Sequence, residues 1–508
     1  MAWGFNRNFE QVIIMIGFVT MLLVDMKIIH AFVVPTGSMA PTIMGYHKEV
    51  KCPECGAHFF INASAEGEGF FRERVIGCTC FNCRSALEFN KESKIPPLRG
   101  GDRIIVAPQI NQPPRHSVIV HKYPPAWYQE KPQTVYYVSR ILGLPGETIA
   151  LSYGRVYASR DLSYPDDKVE ARERWQPDFM HQDDPKAMKL FVGGKFRILR
   201  KSPDSMLSLR LPVHDHDFSA KESTPRWTAA RNSAWKEDQK GFRRDQGEQI
   251  DWLRFRNLVP AKGGKPRPEL VTDFFSFNSS VLEKFPADRR ANWVGDLMLE
   301  CEVTLMKAQG EFWLELVKGI DRFQARWHLP SGRCSLVRLG VKGKIHELAN
   351  RPTELKRAGT YQLRFANFDD RLTVWVDNAL PFGAGIEYSA PAEKGPTVAD
   401  LQPAGIASKG GPVRIQRLKL WRAPYYAHRP TDGDYAGNEP DWSNPADWEG
   451  LGKLPARTFF VQPKHFFMLS DNSPASSDSR TWGVVPERFI HYQVLFRYFP
   501  QQRIGLVR

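Results

Sequence analysis

The sequence predicts a mainly β protein: an N-terminal transmembrane helix, an all-β core, a small cysteine-bearing insertion and a large inserted β-sandwich. Three observations predict it. Val12 to Val24 (VIIMIGFVTMLLV) is apolar apart from Thr20; two Cys-x-x-Cys pairs lie close together; and strict period-two alternation recurs from about Val271 to Pro424. The chain has 508 residues, too many for one ordinary core, so two or three domains are expected. Hydrophobic content of 42% and charged content of 25% are those of a globular protein and exclude a disordered one. The net charge of +14 is spread from Arg72 to Arg508 without a compact Lys/Arg run or a nucleic-acid motif. No nucleic acid partner is therefore expected, and the positive charge suits an anionic lipid surface.

The elements follow in order. Residues 1–8 form a short tail, and residues 9–32 form the anchor, with its helix running from Phe9 to about Ile29. Thirteen residues are short for a span of about 20. The pattern continues past Asp25, Lys27 and His30, whose polar ends can reach the headgroups. A cleaved signal peptide fits less well, because MAWGFNRNFE has Arg7 as its one base and carries Glu10. Residues 33–50 hold VVPTGSMAPTIMG, a Pro- and Gly-marked loop. Residues 51–93 hold the cysteine unit, and residues 94–160 hold strand text such as DRIIVAP, SVIVHKY and TVYYVSRIL. Residues 161–270 are mixed, with a charged helix expected around Trp235 to Gln249 and a linker at Ala261 to Glu269.

The sandwich is expected over 271–424. Leu297, Leu299, Cys301, Val303 and Leu305 alternate with Met298, Glu300, Glu302 and Thr304, and Phe323, Ala325, Trp327 and Leu329 alternate with polar neighbours. The phrases RLTVWVDNALPF and GIASKGGPVRIQRLKLW resemble concanavalin-like (LamG-like) sandwiches. That resemblance implies carbohydrate as a candidate ligand, with a structural spacer as the alternative. A loop over 425–454 and an aromatic, turn-rich segment over 455–508 close the chain.

Cys52-Pro-Glu-Cys55 and Cys80-Phe-Asn-Cys83 are knuckles separated by 24 residues. Thiolates at i and i+3 on a tight turn can face one tetrahedral zinc, and two such knuckles supply four ligands, as in a zinc ribbon. Cys78 is an alternative ligand, and disulfides compete if the unit lies outside the cytosol. A structural zinc is expected, and no cofactor for catalysis.

Ser38 sits in PTGSMAPT, where Pro35, Gly37 and Pro41 force a non-helical path. Such a path can expose a nucleophilic hydroxyl together with oxyanion donors, here the Ser38 N–H and the Thr36 hydroxyl. A serine in a Pro/Gly loop is more often a turn residue. The ordered set PTGSMAPTI, RILGLPGETI and SDNSPASSDSRTWG behind an apolar segment resembles signal peptidase I, a serine peptidase family. The resemblance implies that Ser38 is the nucleophile, that Thr36 supplies an oxyanion hydroxyl, and that Asp471, Ser476, Asp478 and Arg480 orient the site. It also implies exported preproteins as substrates, the lipid bilayer as a partner, and a single-pass protein of the cell (inner) membrane with its catalytic part outside the cytosol.

The sequence departs from that family at the general base. Tyr137-Val138-Ser139-Arg140 puts Ser139 where the resemblance calls for lysine, and a serine cannot accept a proton as a neutral amine does. Arg115-His116-Ser117 and Ser470-Asp471-Asn472 also differ from the family phrases. His116, His121, Lys122 and Asp478 are candidate substitutes. Two functions follow: a membrane-bound serine endopeptidase, or a catalytically impaired homologue that binds through its sandwich.

Overall fold

The computed structural model describes residues 29–67, 73–89, 95–109, 111–122, 136–164, 180–218, 224–238, 241–261, 264–283, 290–340, 343–391, 394–430 and 432–507. The expected helix from Phe9 to Ile29 lies outside the described residues but for its last position, and the anchor boundary at 32 falls inside a strand, His30–Val33. No helix among the described residues is long and apolar enough to cross a membrane.

Two sheets build the core. The larger is antiparallel, in the order His30–Val33, Arg103–Pro108, Ile490–Phe499, Val118–Lys122, Tyr136–Gly143, His465–Leu469 and Val485–Pro486. It therefore joins the two ends of the sequence across everything inserted between them. Val118, Val120 and Val138 pack on one face with Met39 and Ile43. Ile119 and Ile141 pack on the other with Phe466, Met468 and Val485. The alternation of apolar residues along these strands is what fixes the register. The smaller sheet pairs Thr148–Ser152 with Arg155–Ser159 and with Arg457–Phe460.

The sandwich has two antiparallel sheets. Leu297–Leu305 lies between Val413–Arg422 and Gly359–Phe368 in one, and Gly310–Lys318 lies between Ala404–Gly410 and Asp321–His328 in the other. The alternation read from the sequence picks out the side chains that face one shared core: Leu297, Leu299, Cys301, Val303, Leu305, Phe323, Ala325, Trp327 and Leu329. The outer side of Leu297–Leu305 is covered too. Met298 packs with Phe368 and Trp375 under Met206, which comes from the helix Pro203–Leu209.

The sandwich also begins earlier than residue 271. Leu211–Asp215, Trp235–Asp238 and Gly241–Arg244 join the first sheet, and Trp227–Ala229 and Gly247–Phe255 join the second. Trp227, Trp235, Phe242, Leu253 and Phe255 are buried in its core. The charged helix expected around Trp235 to Gln249 is thus a hairpin with the start of a further strand. Lys236, Glu237 and Arg243 are exposed, while Trp235 and Phe242 face the core and Arg244 is buried beside them, bonded to Ser408 and to the Gly247 and Gln249 carbonyls, so tertiary packing overrides helix propensity. The linker expected at Ala261 to Glu269 contains Arg267–Pro268, paired with Leu258–Val259.

Candidate active site

The segment from Val34 to Met44 is held as a compact loop by backbone bonds from Ala40 to Gly37, from Ile43 to Met39 and from Tyr46 to Pro35. Met39 and Ile43 anchor it in the core, while Pro35 and Thr36 are exposed and Ser38 is half-buried. Gly37 has to be glycine, because a Cβ there would come within 2.6 Å of the Phe277 ring. Phe277 packs with Ala40 and Met44, so a piece of the insertion braces the loop from behind. The Ser38 N–H has no acceptor among the described residues, and no described side chain hydrogen-bonds its Oγ. A bare N–H beside a half-buried hydroxyl is an arrangement suited to oxyanion stabilisation.

The Asp471–Asn472 dipeptide ties this loop to the strand that carries position 139. Asn472 donates its N–H to the Ser38 carbonyl at 2.9 Å and its side-chain amide to the Gly37 carbonyl at 2.9 Å. Asp471 accepts two bonds from the Arg140 guanidinium, at 2.7 and 2.6 Å, and one from the Thr42 hydroxyl at 2.5 Å. Arg140 and Asp471 are both buried, so each charge persists through the other. Asn472 also exchanges amide bonds with Asn278, which extends the grip to the segment that carries Phe277. Asn472, Thr42 and Asn278 were not legible as site residues, because their partners lie hundreds of positions away.

Asp478 caps the short helix Ser479–Trp482 and is clasped by Arg480, at 2.8 Å to one oxygen and 2.7 Å to the other. Arg480 further donates to the Ala427 carbonyl and to Ser473, and Asp478 accepts from Ser470 N–H and from Ser476 Oγ. With both oxygens engaged, Asp478 is a structural anion. Ser476 is half-buried against it.

Ser139 is buried and hydrogen-bonds His121, with Oγ 3.1 Å from Nε2. Burial pushes the His121 ring down to about 3, and His491 adds to the effect. His116 lies beside Arg140, which donates to its carbonyl at 2.8 Å. Burial and then the charges of Arg140 and Arg115 push His116 down to about 4. Lys122 sits 5.2 Å from the Tyr136 ring centre.

The four knuckle sulfurs lie within 4.8 Å of one another. Cys52 and Cys83 are 3.5 Å apart, and Cys55 and Cys80 are 3.7 Å apart. Zinc–sulfur bonds of about 2.3 Å at tetrahedral angles require sulfurs about 3.8 Å apart, whereas a disulfide requires about 2.05 Å. All seven cysteines are free. The donor set can hold a metal and is compatible with a structural zinc. Cys78 is outside it, a buried thiol pushed up to about 12 by its apolar surroundings.

None of the curated proteins matches the chain. Among solved structures, it is similar to the carbohydrate-binding module CBM66 from Bacillus subtilis at 12% identity, over 38% of this chain and 94% of that one, with a TM-score of 0.25. It is similar to the galectin LEC-6 of Caenorhabditis elegans at 15% identity, over 25% and 83%, with a TM-score of 0.20. For the VIP36 exoplasmic/lumenal domain the values are 12% identity, 40% and 86%, and a TM-score of 0.25. One family model matches, over residues 75–195 and 406–499: it takes in Ser139, Arg140, Asp471, Ser476, Asp478 and Arg480, leaves Ser38 outside, and describes signal peptidase, peptidase S26.

Proposed function

We propose that the chain is a membrane-anchored serine endopeptidase of the signal peptidase kind that cuts signal peptides from exported precursors. The observation that carries this reading is the double hold of Asp471–Asn472, which fixes the Ser38 loop against the Arg140 strand, with Arg140, Asp471 and Asn472 inside the residues matched by the peptidase S26 model. Ser38 attacks the scissile carbonyl, and its own N–H with the Thr36 hydroxyl receives the oxyanion. The exposed edge strand His30–Val33 runs straight into the loop, and its outer side has no partner strand among the described residues. An extended precursor can add there as a further strand. A zinc held by Cys52, Cys55, Cys80 and Cys83 is structural and takes no part in catalysis.

The second reading is an impaired homologue that acts by binding, with carbohydrate at the sandwich as its candidate ligand. It is favoured by Ser139 and by the lack of any described nitrogen on Ser38 Oγ. The test is cleavage of a model preprotein in lipid by the full chain and by Ser38→Ala. Cleavage lost in the variant supports the peptidase. Equal turnover in both, or none in either, removes Ser38 from the chemistry and favours the binding reading.

A further inference from the structure

The two cysteine knuckles close two separate hairpins. Cys52 to Cys55 turns His47–Lys51 back into His58–Asn62, and Cys80 to Cys83 turns Val75–Thr79 back into Ala86–Glu88. The hairpins belong to different sheets. What joins them directly is the sulfur cluster and a small apolar core, in which Val50, Phe59, Ile61, Val75 and Phe81 are the large buried members. So small a core usually needs a metal to close it.

The segment Ser276 to Leu282 is held by both hairpins at once. Ser280 Oγ donates to the Asn62 carbonyl at 2.6 Å, at the end of the first hairpin. Ser279 Oγ accepts from the Thr79 N–H at 2.9 Å, immediately before Cys80 in the second. Val281 and Leu282 pair with Gly77 and Val75 as a third strand of the second sheet. The same segment reaches the Ser38 loop in two ways. Phe277 lies under Gly37 and packs with Ala40 and Met44. Asn278 exchanges two amide bonds with Asn472, at 2.6 and 2.8 Å. Asn472 is 1% exposed, so its side-chain oxygen needs a donor, and Asn278 supplies it. With that amide fixed, its nitrogen is turned to the Gly37 carbonyl, while the Asn472 N–H holds the Ser38 carbonyl. The first hairpin also abuts the loop directly. Strand His47–Lys51 follows Met44 through Gly45 and Tyr46, and a Cβ at Gly45 would lie 2.2 Å from the Thr36 carbonyl carbon.

Resting on the peptidase reading above, we infer that Phe277 and Asn278 are positioning residues for Ser38, and that a metal in the cysteine site governs them. Two hairpins locked at four sulfurs present Asn62 and Thr79 at one fixed spacing, and the Ser276 to Leu282 segment spans them. When the sulfurs part, that spacing is lost and Asn278 leaves Asn472. Asn472 then no longer fixes the carbonyls of Gly37 and Ser38. The coupling passes through contiguous packed and hydrogen-bonded groups, with no covalent step. None of these groups touches the scissile bond: they act through Asn472 and Gly37 on the backbone of the loop.

The test follows amide hydrogen exchange and preprotein cleavage together, on the full chain in lipid. The forms compared are the zinc-loaded protein, the same protein after chelation and after zinc is returned, and Asn278→Ala. The Ala40 and Ile43 amides, which close the loop, report its hold. Strands Val118–Lys122 and Tyr136–Gly143 report the core. Chelation should speed exchange over 34–44 and 276–283 together and leave the core strands protected, and returned zinc should reverse it. Asn278→Ala should keep its zinc and still speed exchange over 34–44. In both cases kcat should fall about 10²-fold. KM should change little, since the edge strand His30–Val33 is held by Arg103–Pro108 and lies outside the coupling. A 34–44 segment that stays protected after chelation, or in zinc-loaded Asn278→Ala, overturns the inference whatever the cleavage. Core strands that open with the loop overturn it too, because the metal then supports the whole fold. Exchange that responds as expected in a chain that cleaves nothing in any form upholds the hold on the loop and overturns the peptidase reading alone.

Discussion

Arg480 makes six bonds from a fully buried guanidinium: two to Asp478, two to Ser473, one to Ser476 Oγ and one to the Ala427 carbonyl. A lysine has neither the planar fork nor enough donors to replace it. Arg480→Ala leaves Asp478 buried without its counter-charge, and such uncompensated burial costs about 3–5 kcal/mol. Arg480→Lys should recover only part of that loss, as read from urea unfolding followed by circular dichroism. The histidines make a separate prediction about acid. His121 and His116 are held below the usual value of about 6.5, the first to about 3 and the second to about 4. Between those values and 6.5 the unfolded chain binds more protons than the folded one, so stability rises with pH and is lost as pH falls below about 6.5. Each buried histidine contributes up to about 1.4 kcal/mol per pH unit in that window. The melting temperature should therefore drop on going from pH 7 to pH 5, and His121→Gln should flatten that drop.

At the scale of elements, legibility followed the locality of the signal. The knuckles could be read because four thiols at fixed spacing make one site, and the knuckle turns follow strands His47–Lys51 and Val75–Thr79. The sandwich strands could be read because apolar residues alternate along them. The strands between Leu211 and Phe255 could not, since GEQIDWLRF and GFRR bury few side chains each and owe their place to neighbours such as Val413–Arg422 and Ala404–Gly410. The Ser38 loop was legible from its prolines and glycine, while the Asn472 and Phe277 contacts that position it join distant parts of the chain. The cysteine unit is itself part of that support. Asn62 at the end of its strand His58–Asn62 accepts from Ser280, a few residues past Phe277, and Thr79 bonds Ser279. Metal analysis of the purified chain should give about one zinc per molecule, with four thiols protected from alkylation. Chelation, or Cys55→Ser, should lower the melting temperature and open the 51–93 unit to proteolysis. Two disulfides in a metal-free chain would refute the zinc.

At the scale of the molecule, the peptidase-like core and the sandwich meet in a buried ion cluster. Arg155, from the smaller core sheet, reaches Asp296 at 2.8 Å and Asp370 at 3.0 Å; Lys318, from the sandwich, reaches the same two carboxylates at 2.8 and 2.7 Å. The Asp369–Asp370 hairpin tip adopts positive φ at both residues, and Asp369 pairs with Lys201. The tip is thus shaped by a demanding turn and placed where it takes up cations from outside the 271–424 span. Arg155→Ala removes one of two cations facing two buried carboxylates, so it should destabilise the full chain by about 3–5 kcal/mol without altering the sandwich strands. The sandwich by itself presents a sharper case. A fragment of 271–424 lacks Leu253 and Phe255 from one sheet and Trp235 and Phe242 from the other, all of them buried in the common core. Loss of large core side chains costs about 3–5 kcal/mol each, which exceeds the margin of an ordinary domain when several go together. A fragment of 211–424 keeps them and leaves behind Arg155, whose absence at a newly exposed face lets water reach Asp296 and Asp370 beside Lys318. The longer fragment should therefore unfold in one cooperative transition, and the shorter one should give a broad or absent transition in thermal circular dichroism. Equal cooperativity of the two would mean that the strands before residue 271 only decorate a core that closes without them.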